Sequence, residues 1–250
     1  GEEEGKAAAA ADEAKAGTEA VPGDSAFPPL GAAAAAAPEA AAAAAAAPPA
    51  DVQLSEAQRK QVCELPDHEL QAGCTSVVVL VVGRRLFVAN AGDSRAVLCR
   101  AGGTAYALSH DHKPSQEVET ARIHRAGGFV TPAGRVNGNL NLSRSLGDLK
   151  YKQNKALPPR DQMITAEPDV TCTELQPDDE FIIIGCDGIW DCKTNQEAVD
   201  FVRERLVRGM PCAKICEEMM DDCLAEDPRK TTGIGGDNMT CVVVQLQQPS

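Results

Sequence analysis

Three short acidic turns carry the clearest chemical signal in the chain. They are Ala91-Gly92-Asp93-Ser94, Gly185-Cys186-Asp187-Gly188 with Asp191 four residues on, and Gly235-Gly236-Asp237-Asn238. Each sets a short carboxylate beside glycine at the end of an apolar run, where backbone can approach a ligand closely. A single Asp in a turn ordinarily only closes an Asx-turn. Three at corresponding ends of one sandwich describe a hard-cation site instead. Oxygen donors with no partner His or Cys favour Mg2+ or Mn2+ over Zn2+. Carboxylates that hold two such ions can activate water against phosphate esters.

Such turns need strands to hold them. Val77–Val82 and Leu86–Ala91 are continuous apolar runs joined by Gly83-Arg84-Arg85, a link too short for a parallel crossover, so they pair antiparallel. Their lack of alternation implies that both faces are covered, and Phe181–Ile184 and Cys241–Val244 read the same way. The pattern predicts an α+β fold: an α-β-β-α sandwich of two antiparallel sheets, each with helices on its outer face. Thr194-Asn195-Gln196-Glu197 is a capping box ahead of Ala198, Phe201, Val202 and Leu206. Pro211 suits a first helical position before the stripe Cys212, Ile215, Cys216, Met219 and Cys223. A weaker helix is expected over about Gln116–Ala126, stopped by Gly127-Gly128.

Composition limits the partners. The 250 residues carry 24 Lys+Arg against 37 Asp+Glu, a net charge of −13, which argues against a nucleic-acid groove or an anionic-membrane binder. Aromatic residues make up 3%, too few for base-stacking platforms. No apolar run reaches the roughly 18 residues of a membrane span. Residues 1–50 are Glu-rich and then alanine-rich, broken by six prolines. They are expected to stay disordered, with 51–72 a transition holding a short helix at Ser55–Val62. Order is expected from Gly73 to the end at residue 250. The opening Gly1-Glu2-Glu3-Glu4 lacks both Met and a basic segment, as expected of a fragment without a signal peptide. Of the ten cysteines, several lie in apolar runs (Cys74, Cys99, Cys186 and Cys241) and Cys212, Cys216 and Cys223 fall on one helical stripe. They read as buried free thiols of a reducing compartment.

Several further stretches complete a recognisable series: Gly73-Cys74-Thr75, Ala89–Leu98, His110–Pro114, Ala121-Arg122-Ile123, Ala126-Gly127-Gly128, 135–138 (RVNG), 142–148 (LSRSLGD), 164–169 (ITAEPD), 186–191 (CDGIWD) and 237–240 (DNMT). In this order and spacing the sequence resembles the metal-dependent protein serine/threonine phosphatases of type 2C. The Leu157–Ile164 spacing and the acidic segment ahead of Gly73 look most like the gamma type, which carries an acidic insertion in its catalytic domain. The resemblance implies that Asp187 and Asp237 hold one ion of a catalytic Mg2+ or Mn2+ pair, and that Asp191 and Asp93 serve a third, looser ion. Asn238 is then expected to orient Asp237 by a hydrogen bond. Arg144 reads as a structural ion-pair partner, Trp190 as core, and His110 and His112 as local packing rather than catalytic acids.

The family's phosphate-binding arginine, its Asp-Gly-His-Gly turn with the bridging carboxylate, and its proposed general-acid histidine have no counterpart here. Asp67-His68 and Asp111-His112 lack the glycines. The sandwich is therefore expected to be incomplete on its N-terminal side, the chain being the C-terminal part of a catalytic domain. The implied function is hydrolysis of phosphoserine and phosphothreonine by a metal-activated water, with phosphoprotein substrates and no phosphoenzyme. The isolated chain is expected to be inactive or nearly so. The alternative is an inert phosphatase-like module that scaffolds phosphoproteins, against which the retained Asp187, Asp191 and Asp237 count. A monomer of the cytoplasm or nucleus is expected, with no nucleic-acid or membrane partner.

Overall fold

The computed structural model describes residues 71–246. The 1–50 segment, most of the 51–72 transition and the helix expected at Ser55–Val62 lie outside the described residues. The first long apolar runs become β2 (Ser76–Val82) and β3 (Arg85–Ala91), following a two-residue β1 (Gly73–Cys74). Val82 pairs with Arg85, so the hairpin turn is Gly83-Arg84, with Gly83 at φ 62 as such short turns demand. The remaining strands are β4 (Arg95–Arg100), β5 (Thr104–Ala107), β6 (Leu146–Gly147), β7 (Asp169–Glu174), β8 (Phe181–Gly185) and β9 (Cys241–Gln245). All pairings between strands of the described residues are antiparallel: a three-stranded sheet ordered β2-β3-β7, a four-stranded sheet ordered β5-β4-β8-β9, and the small β1-β6 ribbon.

The period of two in β4 shows why its run is apolar throughout. Ala96 and Leu98 point into a core shared with Leu86, Val88, Leu108 and Ile182, between the two sheets. Val97 and Cys99 point the other way, with Phe181, Ile183 and Val243, against helices. Those helices are α3 (Asn195–Val207), which supplies Ala198, Val199 and Val202, and α4 (Cys212–Cys223), which supplies Ile215, Met219 and Cys223. The capping box is formed: Thr194 Oγ1 accepts from the Glu197 amide at 3.2 Å and Glu197 accepts from the Thr194 amide at 2.8 Å. Such caps are worth about 1 kcal/mol. Pro211 is extended and caps α4 from outside rather than standing at its first position. The expected third helix is α1 (Glu117–Arg125); α2 (Asp187–Trp190) is a single turn after β8.

The two sheets differ on their outer faces. Helices flank the four-stranded sheet, but among the described residues none covers the outside of β2-β3-β7. The cross-strand rows Val78-Ala89-Val170 and Leu80-Phe87-Cys172 face outward there, with Val78 57%, Leu80 55% and Val170 64% exposed. The apolar pattern that implied burial on both faces therefore holds for β8, leaves the outward side of β3 half-buried, and fails for β2 and for β9, where Val242 and Val244 are exposed. Cys74, read as a core thiol, is exposed on the β1-β6 ribbon, and Cys172 is exposed as well. Cys99 and Cys223 are buried, and burial pushes both thiols up to about 12. All nine described cysteines are free.

Candidate metal centre

Register explains how distant acidic turns meet. Arg95, at the start of β4, pairs with Gly185, at the end of β8, and Gly185 pairs with Cys241, at the start of β9. Asp93 precedes Arg95 by two residues, Asp187 follows Gly185 by two, and Asp237 precedes Cys241 by four, so all three turns leave the sheet at the same end of its strands. Asp191 lies one helical turn past Asp187, its amide donating to the Asp187 carbonyl at 2.8 Å. The β8 and β9 turns are tied together: the Cys186 amide donates to the Thr240 carbonyl at 3.2 Å, and the Thr240 amide donates to Cys186 Sγ at 3.2 Å. Gly188 permits this contact, because a Cβ there would meet the Asn238 carbonyl oxygen at 2.5 Å.

The carboxylates feel one another. Burial raises the Asp187 pKa, and the negative charges of Asp93, Asp237 and Asp191 raise it further, with Lys113 opposing. Like charges gathered at one place favour a bound cation, which relieves the repulsion. One cation is supplied by the protein: Lys113 Nζ donates to Asp93 Oδ2 at 2.8 Å. Burial disfavours the charged ammonium, but the hydrogen bond and charge of Asp93 outweigh it and raise the Lys113 pKa.

Among the described residues, no three Asp, Glu, His or Cys side chains close into one ion's shell. Mg2+ commonly keeps several waters and takes only one or two carboxylates, so this open, all-oxygen donor set fits such an ion. Asp237 is fixed by its neighbour's main chain, the Asn238 amide donating to Asp237 Oδ1 at 2.7 Å; the expected orienting bond exists but comes from backbone.

Behind Asp93 lies a buried polar framework that sequence reading mostly missed. Gly92 has φ 127, and a Cβ there would sit 2.4 Å from Thr75 Cγ2; Thr75 Oγ1 in turn bonds Ser94 Oγ at 2.8 Å. The Gly92 amide donates to His112 Nδ1 at 3.1 Å, and His112 Nε2 faces Asp169 Oδ2 at 3.1 Å. Arg144 grips Asp169 Oδ1 at 2.7 Å and Glu119 Oε1 at 2.7 Å, as the ion-pair reading of this arginine expected. Glu119 also receives Arg122 at 2.7 Å and the Ser143 hydroxyl. The hydrogen bond from His112 leads the causes that hold the Asp169 carboxyl well below the usual range. Trp190 is core, its Nε1 donating to the Gly185 carbonyl at 2.8 Å. The only advance signal for this framework was the polar content of His110–Pro114 and 142–148, since period-two and helical patterns do not describe loops.

Two antiparallel sheets packed face to face, with helices against one of them, are an arrangement seen in solved structures. A phosphatase from a pathogenic strain of Toxoplasma gondii superposes with a TM-score of 0.56 at 27% identity, over 73% of this chain and 66% of that one. The serine-threonine phosphatase 2C from Toxoplasma gondii shares the fold, with a TM-score of 0.57 at 22% identity over 72% of this chain and 60% of that one.

The particular family follows from the sequence: residues 35–232 match the Protein phosphatase 2C family, and the chain belongs to it. Probable protein phosphatase 2C 21 of Arabidopsis thaliana is 51% identical over 179 residues, 72% of this chain and 49% of that protein. Protein phosphatase 2C homolog 3 of Schizosaccharomyces pombe is 55% identical over 182 residues, 72% of this chain and 43% of that protein. The chain thus spans about half the length of the curated relatives it matches.

Proposed function

We propose that this chain supplies part of the metal site of a protein serine/threonine phosphatase of the gamma-like kind, acting on phosphoserine and phosphothreonine of phosphoproteins. The observation that carries the reading is the gathering of Asp93, Asp187, Asp191 and Asp237 at one end of the β4-β8-β9 strands, where their charges act together on Asp187. Asp187 and Asp237 would hold an ion of a Mg2+ or Mn2+ pair, and Asp191 and Asp93 a third. Bound there, such ions lower the pKa of a coordinated water and neutralise charge that develops on a phosphoryl group.

The chain's own residues do the positioning. The β4-β8-β9 register sets the three turns side by side, the Asn238 amide orients Asp237, and Lys113 holds Asp93. No Asp-Gly-His-Gly turn occurs in the sequence, so the 250-residue chain alone is expected to release phosphate at background rate. Mn2+ titration of the chain, followed by electron paramagnetic resonance, tests the site directly. Asp187→Asn and Asp237→Asn should each weaken binding at least tenfold; unchanged affinity in both would refute the assignment. Release of phosphate from a phosphothreonine peptide by the pure chain, dependent on Mn2+ and Asp187, would refute the inactivity.

A further inference from the structure

We propose that His112 is a positioning residue for Asp93: its imidazole holds the Gly92 amide, and through it the turn that presents the Asp93 carboxylate to a divalent cation. This inference rests on the metal-site reading above.

His112 is 3% exposed, and both ring nitrogens are engaged. Nδ1 lies 3.1 Å from both the Gly92 amide nitrogen and the Gly92 carbonyl oxygen, and Nε2 lies 3.1 Å from Asp169 Oδ2. With Nδ1 assigned as acceptor of the Gly92 N–H, the ring proton sits on Nε2 and faces the Asp169 carboxylate. The ring's place is fixed at both ends. Asp169 is held by Arg144, which is itself anchored on buried Glu119. The main chain of His112 is clamped as well: its amide donates to the Gly92 carbonyl at 2.9 Å. Its carbonyl accepts from the Ser143 amide at 3.1 Å and the Ser143 hydroxyl at 2.8 Å.

The path Arg144–Asp169–His112–Gly92 therefore ends one residue from a metal carboxylate, and the next residue, Lys113, grips that carboxylate directly. Gly92 needs such a hold. Its φ of 127 lies outside strand and helix geometry, and it links the end of β3 to the start of β4. A histidine serving only to fill space would need no acceptor at Nδ1. This one accepts the amide that sets the turn. Groups that orient a ligand in this way commonly contribute about 10–100-fold to metal affinity.

The test uses the 250-residue chain with Mn2+ as the probe, and reads Mn2+ affinity together with hydrogen exchange at the Gly92 amide. His112→Ala should speed Gly92 exchange and weaken Mn2+ binding about tenfold or more. His112→Asn, whose side-chain oxygen offers an acceptor near the place of Nδ1, should restore slow exchange and affinity to within about threefold of the parent. Gly92 exchange unchanged in His112→Ala overturns the proposal, as does fast exchange with full Mn2+ affinity. If His112→Ala does not fold, a folded His112→Asn with fast Gly92 exchange overturns it and one with slow exchange supports it. Asp93→Asn separates the two readings. If it binds Mn2+ as well as the parent does, the metal reading fails, and the exchange measurement alone decides whether His112 positions the turn.

Discussion

Replacing Glu119 by glutamine changes one atom's chemistry and should cost more stability than any surface substitution. Glu119 is 2% exposed and receives Arg144 and Arg122 at 2.7 Å each, together with the Ser143 hydroxyl. Burial alone would raise its pKa, but the hydrogen bonds from Arg144 and Ser143 and the two guanidinium charges outweigh that and lower it. The introduced amide would keep the volume and lose the charge, leaving two buried guanidiniums facing each other. Removing one partner of a buried ion pair typically costs about 3–5 kcal/mol. For a domain of this size 1 kcal/mol moves the melting point by about 2–4 °C, so Glu119→Gln should melt about 6–20 °C lower at pH 7.

The pH dependence has a definite sign. With a folded pKa below the ordinary 4.5, the carboxylate's contribution is complete above that value and is lost as pH falls through the depressed one. The gap between parent and variant should therefore be constant near neutrality and close in acid. Calorimetric melting from pH 7 down to pH 3 measures it. Adding Arg144→Met should recover part of the loss, because the exposed Asp169 can be left to water. A loss under about 1 kcal/mol at pH 7, or no recovery in the double variant, would refute the electrostatic account.

Three further outcomes are expected. Asp187→Asn should raise the melting point of the metal-free chain, by about 0.5–1 kcal/mol of stability. A raised folded pKa penalises the ionised form above that pKa, so the gain is present at pH 7 and vanishes below the ordinary 3.8; a lower melting point in calorimetry at pH 7 would contradict it. Gly92→Ala forces a Cβ to within 2.4 Å of Thr75 Cγ2 at a φ of 127, and urea titration should show a loss of about 2–4 kcal/mol. Leu80→Lys, on the uncovered sheet face, should leave urea stability within about 0.5 kcal/mol and reduce self-association in sedimentation velocity. A large stability loss would mean that Leu80 is buried in solution.

The fold was legible where period and length carry it. The apolar runs at β3, β8 and β9, the capping box at Thr194 and the stripe through Ile215, Met219 and Cys223 all became the elements expected. Less was legible wherever one pattern serves two environments. The run Val77–Val82 is as apolar as Phe181–Gly185, yet only the second is covered on both faces, and nothing local separates them. The acidic turns announced themselves through glycine and strand ends. Their alignment came from register between β4, β8 and β9, which a single sequence does not state. The framework of Glu119, Arg122, Arg144, Asp169 and His112 lies in loops, on one short helix and at the start of β7, where side chains far apart in sequence find one another without any repeating pattern.

The order β5-β4-β8-β9 also bears on how the chain comes together in time. β9 is an edge strand, the last in the described residues, and within the sheet it is held along a single ladder to β8. Until it docks, the Asp237 turn is absent from the cluster and the Cys186–Thr240 tie cannot form. A cation bound across these turns would act as a rivet on this edge strand. At a hundredfold excess over its dissociation constant, native-only binding adds about 2.7 kcal/mol. Because the turns it joins are widely separated along the chain, their pairings form late and slowly. Occupancy of the site would thus mark molecules whose final strand has seated.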